Sequence, residues 1–264
     1  MLASKVSTRI NVFVIGGLAL IQFGLKEATK DIDVIVQSKD EFNDLTRSLK
    51  SLGYTPPSPL KITTPYRKMG ASKILENEDG FRWDIFHHQV CNALIFSSNM
   101  TSRATVFYDK NQLKVKLASK EDTFLFKGIT EREADLDDMR LLAESGLDWG
   151  KIEQECHYQS ASSGRLWENA LLENLVELRE KYKIRTPIEK TLKKTVEDKL
   201  SEDAVTQAIK LGYVTSRTIA QTTKLPEHII RKYANEMQEK RLLRIIKSNR
   251  PYKFELIGDS ARER

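Results

Sequence analysis

The sequence predicts an α+β chain in three parts. A mixed sheet flanked by helices is expected over residues 1–148, a helical linker over 149–200, and a small domain of helices and a β-hairpin over 201–264. Three observations predict this. Short runs with period-two alternation interleave with helical-period segments up to about residue 145. Beyond that point only the helical period persists until about residue 200. The last segment then gives three short helical patterns followed by two alternating runs around Asn249-Arg250-Pro251.

The chain is organised around Asn11 to Gln37, NVFVIGGLALIQFGLKEATKDIDVIVQ. Asn11 to Ile15 reads as a strand, broken by Gly16-Gly17, and Leu18 to Leu25 as a short helix. Asp31 to Val36 alternates acidic and apolar residues, which is the pattern of a second strand. Successive side chains on a strand point to opposite faces, so Asp31 and Asp33 share one face while Ile32, Val34 and Val36 turn to the core. Adjacent carboxylates repel unless a cation lies between them, and hard oxygen donors suit Mg²⁺. A Gly-Gly turn before a helix lets the backbone approach a ligand and aims free N–H groups at it, which suits phosphate. Phosphate cradle and carboxylate pair together point to nucleoside triphosphates.

Gly16-Gly17, thirteen intervening residues, then Asp31-Ile32-Asp33-Val34 resembles the signature of the DNA polymerase β-like nucleotidyltransferase superfamily. The resemblance covers roughly residues 10–145 and implies a nucleotidyltransferase fold. It also implies a third carboxylate on a later strand, for which Asp84 in Phe81-Arg82-Trp83-Asp84-Ile85-Phe86 is the candidate. Asp31, Asp33 and Asp84 are then the catalytic acids and the ligands of two Mg²⁺ (or Mn²⁺) ions, and Gly16 and Gly17 anchor the NTP substrate. Relatives with Ser at the second motif position offer a hydroxyl to the triphosphate, and Gly17 has only its backbone.

Lys39 to Leu52 has a helical apolar face, Phe42, Leu45, Leu49 and Leu52, stopped by Gly53. Lys68 to Leu75 and Gly80 to Phe86 read as a hairpin turning at Asn77-Glu78-Asp79-Gly80. His87, His88 and Cys91 lack the spaced partners that zinc requires and read as ordinary polar residues. Ala104 to Tyr108 and Gln112 to Leu117 form another hairpin, and Ser119 caps the next helix. Glu121 to Leu142 resembles the Lys, turn, Arg, Asp-rich helix segment of stand-alone and abortive-infection toxin nucleotidyltransferases. There Lys127, and after it Arg132, would approach the triphosphate or brace the carboxylates. The plainer alternatives are an Arg132–Asp135 pair along the helix and a solvated Lys127. Ile152 to Ile184 reads as largely helical, followed by a charged helix over Ile188 to Leu200.

Asp203 to Leu211, Thr215 to Ala220 and Leu225 to about Lys240 read as three helices, and Leu242–Lys247 and Tyr252–Ile257 as a hairpin. This order resembles a winged helix-turn-helix. It implies that His228, Arg231, Lys232 and Asn235 enter a groove of DNA or RNA, while Arg244, Lys247, Arg250 and Lys253 contact phosphates from the wing. Charge distribution agrees. Residues 1–155 hold 21 Lys+Arg against 22 Asp+Glu, whereas residues 201–264 hold 13 against 8, a balance of +5.

At 264 residues, with 40% hydrophobic and 30% charged content, the chain has room for at least two globular domains. Two cysteines, Cys91 and Cys156, build no disulfide framework, which predicts a cytoplasmic setting. The apolar run Ile10 to Leu25 is too short to span a bilayer and contains Asn11, Gly16, Gly17 and Gln22, so no membrane partner is expected. The composition leaves homodimerisation open. The sequence thus predicts a Mg²⁺-dependent nucleotidyltransferase that moves an NMP to a hydroxyl on RNA or protein, with a toxin–antitoxin link implied by the resemblance alone. The competing expectation is a DNA-binding transcriptional regulator whose nucleotidyltransferase-like domain does no chemistry. A small-molecule transferase for cationic drugs is disfavoured, because such substrates want an acidic cleft.

Overall fold

A computed structural model describes residues 1–29, 31–58, 70–129, 133–248 and 250–257. The chain divides into two compact units, Met1–Leu192 and Lys193–Arg264. The first is built on a six-stranded sheet in the order β3-β4-β2-β1-β8-β7. Its strands are β1 (Ile10–Val14), β2 (Asp31–Val36), β3 (Lys73–Glu76), β4 (Arg82–His87), β7 (Thr105–Lys110) and β8 (Leu113–Leu117). β1 runs parallel to β8, and β2 parallel to β4; β1·β2, β3·β4 and β7·β8 are antiparallel. The sheet is mixed, as expected. Two short strands, β5 (Gln89–Val90) and β6 (Leu94–Ile95), pair separately.

Both faces of the sheet are covered. Val12 and Val14 of β1 and Val34 and Val36 of β2 pack with Leu45 and Leu49 of the helix α2 (Lys39–Ser51), in one buried cluster. Ser38 caps α2 with a reciprocal Ser38–Glu41 capping box, which satisfies its first free N–H groups. On the opposite face Phe13, Ile35 and Phe86 pack with Phe124, Leu125 and Phe126 of the helix Lys120–Lys127. This second cluster also takes in Leu136, Met139 and Leu142 of the helix Glu133–Glu144, Ile152 and Cys156 of Trp149–Ser163, and Leu171, Leu175 and Leu178 of Trp167–Tyr182. In chain order the helices of this unit are α1 (Gly16–Gln22), α2, α3 (Ser98–Arg103), α4 (Lys120–Lys127), α5 (Glu133–Glu144), α6 (Trp149–Ser163) and α7 (Trp167–Tyr182). The stretch expected to begin a linker at residue 149 therefore contributes α6 and α7 to the core of the first unit.

Several boundaries differ from expectation for local reasons. Ile152–Ile184 is two helices, because Gly164 sits at φ +69° and ends α6 with a left-handed residue. Asp148 opens α6 by accepting from the backbone N–H of Lys151. α8 (Glu189–Lys210), which passes from the first unit into the second, runs without the break expected near residue 200, since no Gly or Pro interrupts it. α3, β5 and β6 were too short for a periodic signal. Lys68, part of the expected strand before β3, lies outside the described residues.

The second unit packs Val205, Ala208 and Ile209 of α8 against Ile219 of α9 (Ser216–Thr223) and Ile230, Tyr233, Ala234 and Met237 of α10 (Glu227–Glu239). The hairpin β9 (Leu243–Ile246) and β10 (Lys253–Leu256) closes this core with Leu243 and Phe254. Among the described residues no helix is long and apolar enough to cross a membrane.

Candidate functional site

Register places the candidate acids. In the parallel β2·β4 ladder Asp31 lies opposite Arg82 and Asp33 opposite Asp84. Residues 31, 33, 82 and 84 thus share one sheet face, continued by Ile35 and Phe86, which are buried in the helical cluster. Asp84 is fully buried, and Arg82 holds it with two hydrogen bonds, Nε to Oδ1 at 2.9 Å and Nη2 to Oδ2 at 2.8 Å. The same Nη2 lies 3.0 Å from Asp31 Oδ2. One guanidinium therefore bridges two of the three expected acids. No motif in the sequence marks Arg82. Its i−2 spacing from Asp84 on a strand is the signal that could have found it.

The glycine pair is fitted to the third acid. Gly16 has φ +64°, and a Cβ there would lie 2.1 Å from Asp33 Oδ2. Only glycine allows both that backbone conformation and so close an approach of the carboxylate. The Ile15 N–H donates to the Asp33 carbonyl at 3.0 Å, locking the turn onto β2. A Cβ on Gly17 would lie 2.8 Å from Thr29 Oγ1. Thr29 thus carries a hydroxyl into the space that a Ser at position 17 would need. Its Oγ1 accepts from the Asp31 N–H at 3.3 Å and lies 3.2 Å from the Asp31 carbonyl. The missing motif hydroxyl has a neighbour of the same chemistry, contributed by the loop before β2.

Lys127, at the end of α4, is buried, with its Nζ 2.8 Å from Asp135 Oδ1 and 2.7 Å from Asp138 Oδ2 on α5. Lys26 adds a second ammonium 3.2 Å from Asp138 Oδ1. Burial alone would push the Lys127 pKa down; the two carboxylates more than offset this and raise it. The ammonium is therefore charged and engaged with α5, not solvated. Arg132 lies outside the described residues.

Residues 2–186 match the family described as nucleotidyltransferase of unknown function (DUF6036). The chain belongs to that family. Its matched span contains Gly16, Gly17, Asp31, Asp33, Asp84 and Lys127. No curated protein matches the chain.

The donor chemistry of this nucleotidyltransferase-family unit suits a hard cation, since Asp31, Asp33 and Asp84 offer only oxygen. Their arrangement does not amount to a cage: among the described residues no three Asp, Glu, His or Cys side chains are grouped closely enough to hold a metal ion. Arg82 supplies positive charge between Asp31 and Asp84.

In the second unit the structure separates the expected nucleic-acid residues. Arg231, Asn235, Lys247 and Arg250 line one cavity of about 740 Å³ between α10 and the hairpin. Lys232 turns elsewhere, 3.4 Å from Asp198 of α8 and stacked 4.9 Å over the Tyr233 ring. His228, Arg244 and Lys253 are exposed but not among the residues lining the cavity. Tyr252, which lines it, was not singled out in the sequence.

Proposed function

We propose that the first unit is a Mg²⁺-dependent nucleotidyltransferase site of the DNA polymerase β-like kind, transferring an NMP from an NTP to a hydroxyl on RNA or protein. The observation that carries this reading is the fit of Gly16 against Asp33, with Asp33 in register with Asp84. A phosphate-binding turn and two carboxylates would be of little structural use so close together; a triphosphate and its cation give both a task. Asp31 and Asp33 would hold Mg²⁺, joined by Asp84, and the ion would supply charge neutralisation for the triphosphate. For Asp84 and Asp31 to face a metal, Arg82 must loosen its hold on them. Gly16 and Gly17 would present backbone N–H groups to phosphate, with the Thr29 hydroxyl beside them. Lys127 would act as a fixed wall beside the site, tied to Asp135 and Asp138 of α5 and not to the catalytic carboxylates.

The second unit resembles a winged helix and would bring the nucleic acid. A toxin–antitoxin setting rests on the sequence resemblance alone. One observation favours the competing reading, a DNA-binding regulator with a silent nucleotidyltransferase domain: the Arg82 guanidinium pairs with both Asp84 and Asp31.

Fluorescent-NTP binding separates the two. With Mg²⁺ present the protein should bind an NTP, and Asp31→Ala, a half-exposed residue, should weaken binding by roughly 10-fold or more, about 1.4 kcal/mol. Equal NTP binding with and without Mg²⁺, unaffected by Asp31→Ala, would favour the regulator.

A further inference from the structure

The second unit contains a concavity where a groove-reading helix would need a convex surface. Arg231 and Asn235 of α10 form one wall of the 740 Å³ cavity, and Lys247 and Arg250 of the hairpin turn form the other. Its apolar lining comes from Ile245 and Phe254, the latter part of the buried core of the unit. At the edge lies Tyr252, 39% exposed, with the Arg250 guanidinium 5.9 Å from its ring centroid. Among the described residues Lys247 and Arg250 have no acidic partner. Arg231 does, bonding Glu227 at 2.7 Å, and Glu227 also accepts from Ser216, which lines the cavity.

A volume of this size belongs to small-ligand pockets, whereas the backbone of a duplex needs only an open basic ridge. Apolar lining with an aromatic ring at the edge accepts a planar base. Two unpaired cations on the turn and Arg231 opposite accept phosphate. The Asn235 amide, with both donor and acceptor, matches the edge of a base that is not paired.

We infer that the cavity between α10 and the β9–β10 hairpin binds one unpaired nucleotide, with the base against Tyr252 and its phosphate at Lys247 and Arg250. This rests on the reading of the second unit as the nucleic-acid-binding part and deepens it. The nucleotide is either free or part of a single strand, and the chemistry of recognition is the same for both.

The test is fluorescence anisotropy on the full chain, without NTP or Mg²⁺, so that its outcome is independent of transfer chemistry in the first unit. The probes are a labelled single-stranded RNA, its DNA counterpart and the matching duplex, with AMP and UMP as competitors. Single strands should bind more tightly than the duplex. Tyr252→Ala should weaken the single strand by roughly 5- to 150-fold, the span of one lost stacked base, and leave the duplex unchanged; Tyr252→Phe should bind like the parent. Lys247→Ala should weaken both, as a phosphate contact does. Competition by AMP or UMP at concentrations near the strand affinity assigns the site to free nucleotides, and its absence assigns it to strands. Duplex binding that is at least as tight, with Tyr252→Ala silent, overturns the inference but leaves a nucleic-acid partner standing. No binding of any probe overturns both.

Discussion

Arg103→Met is expected to lower the unfolding free energy by about 3–5 kcal/mol at neutral pH. Arg103, at the end of α3, donates to Asp122 of α4 at 2.6 Å and to Glu155 of α6 at 2.7 Å. Both carboxylates are almost fully buried, at 1% and 2% exposure, so the substitution leaves two desolvated acids without their common cation. Ser119 still donates to Asp122, and Gln159 to Glu155, which places the cost nearer the lower end. The pH dependence supplies the sign. Burial raises the Asp122 pKa even with Arg103 beside it, and without Arg103 the rise is larger. A carboxyl raised in the folded state is penalised as pH climbs above its unfolded value near 3.8. The gap between variant and parent should therefore be widest near pH 7 and shrink toward pH 4. Urea unfolding at two pH values reads it directly, and a constant gap would show that volume, not charge, sets the loss.

Arg82→Met should destabilise the metal-free protein by a similar amount, about 3–5 kcal/mol, because Asp84 is fully buried and loses its bidentate partner. The informative part is the response to Mg²⁺. A ligand that binds only the folded state stabilises it by RT ln(1 + [L]/Kd), about 2.7 kcal/mol at 100 times Kd. If cation and guanidinium compete for Asp31 and Asp84, Mg²⁺ should raise the melting temperature of Arg82→Met by more than that of the parent. Adding Asp33→Asn to Arg82→Met should remove the difference. A larger Mg²⁺ shift in the parent would mean that Arg82 helps to hold the metal site, not that it stands in for a metal.

Much of the first unit was legible from periodicity and punctuation. Gly16-Gly17 and Asp31-Ile32-Asp33 announce themselves because a turn and an alternating strand are local patterns, and each constrains chemistry within a few residues. Asp84 can be proposed from its alternating strand, and its pairing with Arg82 from their i−2 spacing, but the reach of Arg82 to Asp31 cannot. The contact of Arg82 with Asp31 depends on the parallel register of β2 with β4, across some fifty residues of chain. Thr29 escaped notice for the same reason: its relation to Gly17 is one of space, set by how the loop before β2 folds back. Lys127 was placed on the right helix, yet its engagement with Asp135 and Asp138 depends on the packing of α4 against α5. In the second unit α10 buries Ile230, Tyr233 and Met237 at helical spacing and leaves Ile229 half-buried. The pairing of Lys232 with Asp198 of α8 spans 34 residues of chain, so no local pattern shows it. Ile35 was a smaller surprise. The acidic face of β2 becomes apolar after Asp33, because helices cover the sheet on that side too.

The most direct test of the central claim, that Asp31, Asp33 and the glycine turn form a nucleotidyl-transfer site, is incubation with each α-³²P-labelled NTP, Mg²⁺ or Mn²⁺, and total RNA. Asp33→Ala serves as the control. Label should appear on RNA or on the protein itself, depend on the divalent ion, and fall by at least about 10³-fold in the variant, the loss of roughly 4 kcal/mol of transition-state stabilisation. Label transfer undiminished in Asp33→Ala, or no transfer from any NTP while the second unit still binds nucleic acid, would contradict the claim and leave the silent-domain regulator.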